Sequence, residues 1–205
     1  MPTANAENNF VSRAEGKLEG AVRAFHYDFR NKTALDIGSS TGGFTELALK
    51  LGAKKVIAVE KGTRQMKAPL RFDPRVELHE KTDFFDITSK SKIDTFLSPV
   101  QCENVDTIMA DVSFVSLKKI LRKAKEFATF KTDFLVMLKP QFEASPNQLW
   151  KGIVKNEKMR REIIRDFELW LKQNQFVIVN KRDNEVLGKN GNQERFYYLK
   201  LAKKS

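Results

Sequence analysis

One cysteine, two histidines and no long apolar run stand in a chain of 205 residues, and each scarcity removes a class of function. The single thiol, Cys102, closes no internal disulfide and builds no multi-cysteine metal site, and it points to a reducing, cytoplasmic setting. His26 and His79 are too few for a histidine-based metal centre, so no metal ligands are expected. No stretch approaches the roughly 18 apolar residues of a membrane span. The N-terminal "MPTANAENNF" has neither a basic start nor an apolar segment, so no secretory signal is read there. Glycine is also sparse, at 10 residues, yet Gly38, Gly42 and Gly43 crowd into one turn.

Cations are what the chain has in excess. Against 26 Asp and Glu stand 37 Lys and Arg, a formal charge of +11. Such an excess favours a polyanionic partner, because neutralising phosphates releases condensed counterions. An anionic membrane surface would call for a basic amphipathic helix backed by bulky apolar residues, and none stands out. The apolar fraction of 41% suffices for a substantial core, so one domain is expected over residues 10–205 behind a flexible tail at 1–9.

Apolar, β-branched runs alternate with helical patterns along the chain. Strands are predicted over residues 32–38, 54–60, 75–80, 104–112, 132–140, 175–182 and 194–201. Helices are predicted over 13–25, 43–51, 86–98, 116–130 and 156–174. The alternation implies a mostly parallel seven-stranded α/β sheet between helices, with one antiparallel strand in the edge region.

Ligands of such sheets lie outside the carboxyl ends of the strands. There the first strand ends in "DIGSSTGGF", a turn whose glycines let a ligand approach the backbone at a helix N-terminus. Glu60 ends the second strand, about twenty residues on, where a carboxylate accepts from a ribose diol. Asp83 follows the third strand, placed for an adenine edge. The turn lacks the G-x-G of dinucleotide sites and carries Asp36 just ahead of it. A carboxylate there repels a pyrophosphate but complements an ammonium or sulfonium, so S-adenosylmethionine fits better than a nicotinamide dinucleotide. The expected cofactor set is Asp36, Gly38, Ser40, Gly42, Gly43, Glu60 and Asp83. Asp111 and Lys139 end the next two apolar runs, and a buried charge requires a partner, so they are expected to pair.

"FVSRAEGKL", "ALDIGSSTGGFTE", "MADVSFVSL", "LKPQFE", "KGIV" and "GNQERF" together resemble the TlyA-type hemolysin/ribosomal RNA methyltransferases, within the FtsJ-like 2′-O-ribose methyltransferases. The resemblance spans residues 10–201 and implies a Rossmann-like methyltransferase fold. It also implies a Lys-Asp-Lys-Glu catalytic tetrad, which falls on Lys17, Asp111, Lys139 and Glu194. Ala14 and Glu15 stand where family members usually have glycines, and Glu60 where many have Asp. Family members usually carry an N-terminal S4-like RNA-binding domain, and none is expected within these residues. The implied partner is ribosomal RNA or a ribosomal subunit, with a cytidine ribose as acceptor and Arg13 and Lys151 as RNA contacts. No membrane partner is expected, and nothing in the residues fixes an oligomeric state. A membrane-active hemolysin and a non-catalytic RNA-binding module are the competing readings.

Overall fold

The computed structural model describes residues 13–88, 105–185, 187–188 and 191–203. The tail expected at 1–9, Cys102 and most of the helix expected over 86–98 lie outside them. Thirteen elements follow in order: α1 (Arg13–Phe25), β1 (Thr33–Ile37), α2 (Gly43–Lys50), β2 (Lys55–Val59), β3 (Val76–His79), β4 (Thr107–Ala110), α3 (Leu117–Ala124), β5 (Asp133–Leu138), β6 (Leu149–Trp150), β7 (Ile153–Val154), α4 (Glu157–Gln173), β8 (Phe176–Asp183) and β9 (Arg195–Leu201).

β1, β4 and β5 bury every residue, which is why they read as unbroken apolar runs rather than alternating ones. They form the centre of a seven-stranded sheet of order β3-β2-β1-β4-β5-β9-β8. β3 to β5 of that order are mutually parallel, and β9 runs antiparallel to both β5 and β8. The antiparallel strand is therefore the penultimate one, not the edge itself. Leu18, Val22, Phe44 and Leu47 of α1 and α2 cover one face. Ile120, Leu121, Ile164 and Phe167 of α3 and α4 cover the other.

Three elements depart from the sequence reading. α3 stops at Ala124 and tightens into a 3₁₀ turn, Lys125–Phe127, short of the expected 130. Just beyond, Thr132 Oγ1 accepts from Thr129 N and Thr129 Oγ1 accepts from Lys131 N, so threonine hydroxyls compete for the backbone. The helix expected from residue 86 does not begin there: Phe84–Asp86 make a 3₁₀ turn capped by Asp83, and Ile87 is extended and buried. The hairpin β6–β7 was not expected, since two-residue strands carry no periodicity. Its turn, Lys151 and Gly152, has positive φ at both residues (49° and 78°), the hairpin geometry that Gly favours.

Candidate active site

β1 is paired with β2 on one side and β4 on the other, so the chain departs in opposite directions from neighbouring strands. The crevice that this creates at the carboxyl ends is a cavity of about 730 Å³. Asp36, Gly38, Ser40, Gly43, Glu60, Asp83, Asp111 and Lys139 all line it. Eight of the residues read from sequence as cofactor-binding or catalytic thus share one wall.

The turn after β1 is built by its backbone. Gly38 N and Ser39 N both donate to Val59 O, tying the turn to the end of β2. Gly42 caps α2 at φ 95°, a left-handed conformation that costs a non-glycine residue about 1–2 kcal/mol. A Cβ there would also clash with Leu70 Cδ2. Asp36 is buried and accepts from Thr45 Oγ1 at 2.6 Å. Burial raises its carboxyl pKa to about 7, with the nearby Asp111 charge acting in the same direction and the Thr45 hydroxyl against it.

Glu60 Oε2 accepts from Ser40 N at 2.9 Å and Oε1 from Gly62 N at 2.6 Å, so this carboxylate braces the turn as well as facing the cavity. Asp83 accepts from Phe85 N and pairs with Lys61 Nζ at 2.8 Å; the lysine holds its carboxyl below the usual range.

At the other end, Lys139 Nζ lies 2.6 Å from Asp111 Oδ1 and donates to Ser113 Oγ at 2.9 Å. Adjacent strands β4 and β5 bring these residues together. Lys17 on α1 donates to Glu194 Oε2 at 2.5 Å, across 177 residues of sequence. Asn184 Nδ2 also approaches this oxygen, and Glu194 is buried just before β9. The four residues thus stand as two ion pairs, of which Asp111–Lys139 lines the cavity while Ala14, one helical turn before Lys17, brings α1 to it.

One buried oxygen of the wall, Ser39 Oγ, has no hydrogen-bond partner among the described residues, while Asp111 Oδ1 is taken up by the Lys139 ammonium. A buried hydroxyl without a partner is rare in a folded protein. A wall carrying four carboxylates matches a ligand with cationic groups and hydroxyl donors.

The description "FtsJ-like methyltransferase" matches residues 10–201. This chain belongs to the FtsJ-like methyltransferase family. The "23S rRNA (cytidine-2'-O)-methyltransferase TlyA" of Campylobacter jejuni is 33% identical to this FtsJ-like chain over 92% of it and 70% of the relative. Hemolysin A of Brachyspira hyodysenteriae is 36% identical over 90% of this chain and 74% of that protein. A proposed hemolysin from Lactococcus lactis superposes with a TM-score of 0.84 at 33% identity, covering 95% of this chain and 89% of that one.

Several residues of the FtsJ-like site are not singled out by sequence. Thr45 anchors Asp36, Ser113 receives Lys139, and Gln65 reaches both Ser40 Oγ and Glu60. Phe114, 92% exposed at the cavity, packs its ring 5.3 Å from that of Phe142. An aromatic directly after Asp111-Val112-Ser113 was the available signal. Lys151 lies away from the cavity lining, exposed on the β6–β7 turn with its ammonium 5.9 Å over the Trp150 ring. Arg13 opens α1, and its side chain lies outside the described residues.

Proposed function

We propose that this chain is an S-adenosylmethionine-dependent methyltransferase acting on the 2′-hydroxyl of a ribose in ribosomal RNA, a cytidine by analogy with its TlyA relatives. The carrying observation is the Asp111–Lys139 pair at the end of a cavity lined by Asp36, Glu60 and Asp83. When bound, the cofactor supplies a methyl group on a positively charged sulfur. Asp36, Gly38, Ser40 and the Gly42–Gly43 turn would hold its amino-acid end, Glu60 its ribose hydroxyls and Asp83 its adenine amino group.

A ribose hydroxyl is a weak nucleophile, and alignment for in-line displacement accounts for up to about 7–11 kcal/mol of acceleration. Lys139 takes the remaining part, its ammonium stabilising the alkoxide that develops as the hydroxyl proton leaves to solvent. Asp111 and Ser113 hold its ammonium from two sides, so the group is aimed before substrate arrives. Lys17 and Glu194 complete the set by the family's pattern, and the exposed Phe114 ring offers a stacking face for the base. Ribosomal RNA as substrate carries with it a cytoplasmic setting. No helix among the described residues is long and apolar enough to cross a membrane.

Lys139→Ala tests this reading. Methyl transfer to ribosomal subunits should fall about 10²–10⁴-fold, with S-adenosylhomocysteine affinity retained in a calorimeter. Wild-type rates in a folded Lys139→Ala protein would contradict it.

A further inference from the structure

α3 carries a charge pattern that its own stability does not explain. Its buried positions are Leu117, Ile120, Leu121 and Ala124; Lys119 and Arg122 are exposed on the opposite side, with Lys118 and Lys123 half-buried beside them. No acidic residue of the helix occupies the first turn; Lys118 and Lys119 stand there, and the carboxylate that the helix dipole favours is supplied from outside by Glu143, which accepts from Leu117 N. Lys119 takes the third helical position after the Ser116 cap, the place where a glutamate would close a capping box. Lys123 is neutralised by Glu126 at 3.1 Å, and Lys118 stands near the Glu143 carboxylate without closing an ion pair, but Lys119 and Arg122 meet no carboxylate within ion-pair distance among the described residues.

The place of the stripe matters as much as its charge. α3 starts three residues beyond Phe114 at the cavity and descends the outside of the sheet, its apolar side sealed in the core. That seal leaves no apolar face for a lipid bilayer. The Arg122 guanidinium lies 6.0 Å over the Trp170 ring of α4, a stacking contact that leaves its N–H edges able to donate. The α4 surface offers a contrast: there Arg161 and Arg165 lie 3.9 Å and 3.7 Å from the carboxylates of Glu157 and Asp166.

We propose that the outward face of α3 is a phosphate track, seating the RNA backbone that flanks the nucleotide entering the cavity, through Lys118, Lys119 and Arg122. The proposal rests on the RNA reading given above. Three phosphate contacts account for a slope of about 2–3 in log K against log salt, at roughly 0.7–0.9 per contact.

The test compares two triple variants by fluorescence anisotropy with labelled ribosomal RNA over a salt series. Lys118→Ala/Lys119→Ala/Arg122→Ala should lose about 2–3 of the slope, and at least tenfold in affinity at physiological salt. Lys158→Ala/Arg161→Ala/Arg165→Ala removes equal charge from α4 and should lose distinctly less. S-adenosylhomocysteine affinity should hold in both. Lys119→Glu separates the track from a structural role, because a carboxylate in the first turn suits the helix dipole. It should raise the melting temperature by about 1–3 °C while weakening RNA at least fivefold. Equal losses from the two triple variants, or unchanged RNA affinity in Lys119→Glu, would overturn the track and leave the RNA reading standing. Wild-type protein that fails to bind ribosomal RNA would overturn the RNA reading, and the track with it.

Discussion

Asp36 and Glu60 divide the work of the cavity at the level of single residues. An unfolded aspartate titrates at about 4, whereas burial holds Asp36 up at about 7. The folded chain therefore keeps a proton that the unfolded chain has lost, and stability declines as pH rises between those values. Asp36→Asn, which can still accept from Thr45, should flatten that part of a pH–melting curve; an unchanged decline would locate the titration elsewhere. A cationic ligand favours the ionised form, so binding of S-adenosylmethionine below pH 7 should release a proton. Calorimetry in buffers of different ionisation enthalpy detects that release. Glu60→Ala should weaken S-adenosylhomocysteine by about 1.5–3 kcal/mol, the worth of hydrogen bonds to a charged acceptor. Unchanged affinity would mean that the adenosine lies elsewhere. Both carboxylates were legible because each ends an apolar run at a strand tip. Thr45 and Ser39 were not, since a hydroxyl in a helix or turn has no sequence signal of what it faces.

Elements set the position of Lys139, the proposed catalytic lysine, through a junction that joins two loops. Glu143, four residues after Lys139, accepts from Ser116 Oγ at 2.7 Å and Leu117 N at 2.5 Å, so it caps α3 from outside the helix. The same contact closes the loop of Asp111, Ser113 and Phe114 against the segment that follows β5. Removing a cap of this kind costs about 0.5–2 kcal/mol. Glu143→Ala should therefore lower the melting temperature and, by loosening Ser113 against Lys139, reduce kcat more than it raises KM for cofactor. Loss of stability with kcat unchanged would confine Glu143 to capping. Burial raises the pKa of this carboxyl, whereas Ser116 and Leu117 N favour its charged form. The seven sheet strands and four of the five expected helices were readable by periodicity at this scale, including the adjacency of β4 and β5. The β6–β7 hairpin and the early end of α3 were not, because local hydroxyl competition and two-residue strands leave no period.

Across the whole molecule, fold order brings together what sequence separates. Asp111 and Lys139 could be paired by reasoning, because both end buried strands at the same rim. Lys17 and Glu194 could not: α1 and the approach to β9 meet only after the sheet closes, and only the family resemblance linked them. The net charge of +11 belongs to this scale too, and RNA affinity should fall steeply with salt; a flat response in filter binding would favour a small-molecule substrate. The decisive measurement is the product itself. Ribosomal subunits lacking this modification, incubated with the protein and isotopically labelled S-adenosylmethionine, should gain label on a ribose, found by mass spectrometry of the digested nucleosides. Label on a base, or no label above that of Lys139→Ala, would contradict the account.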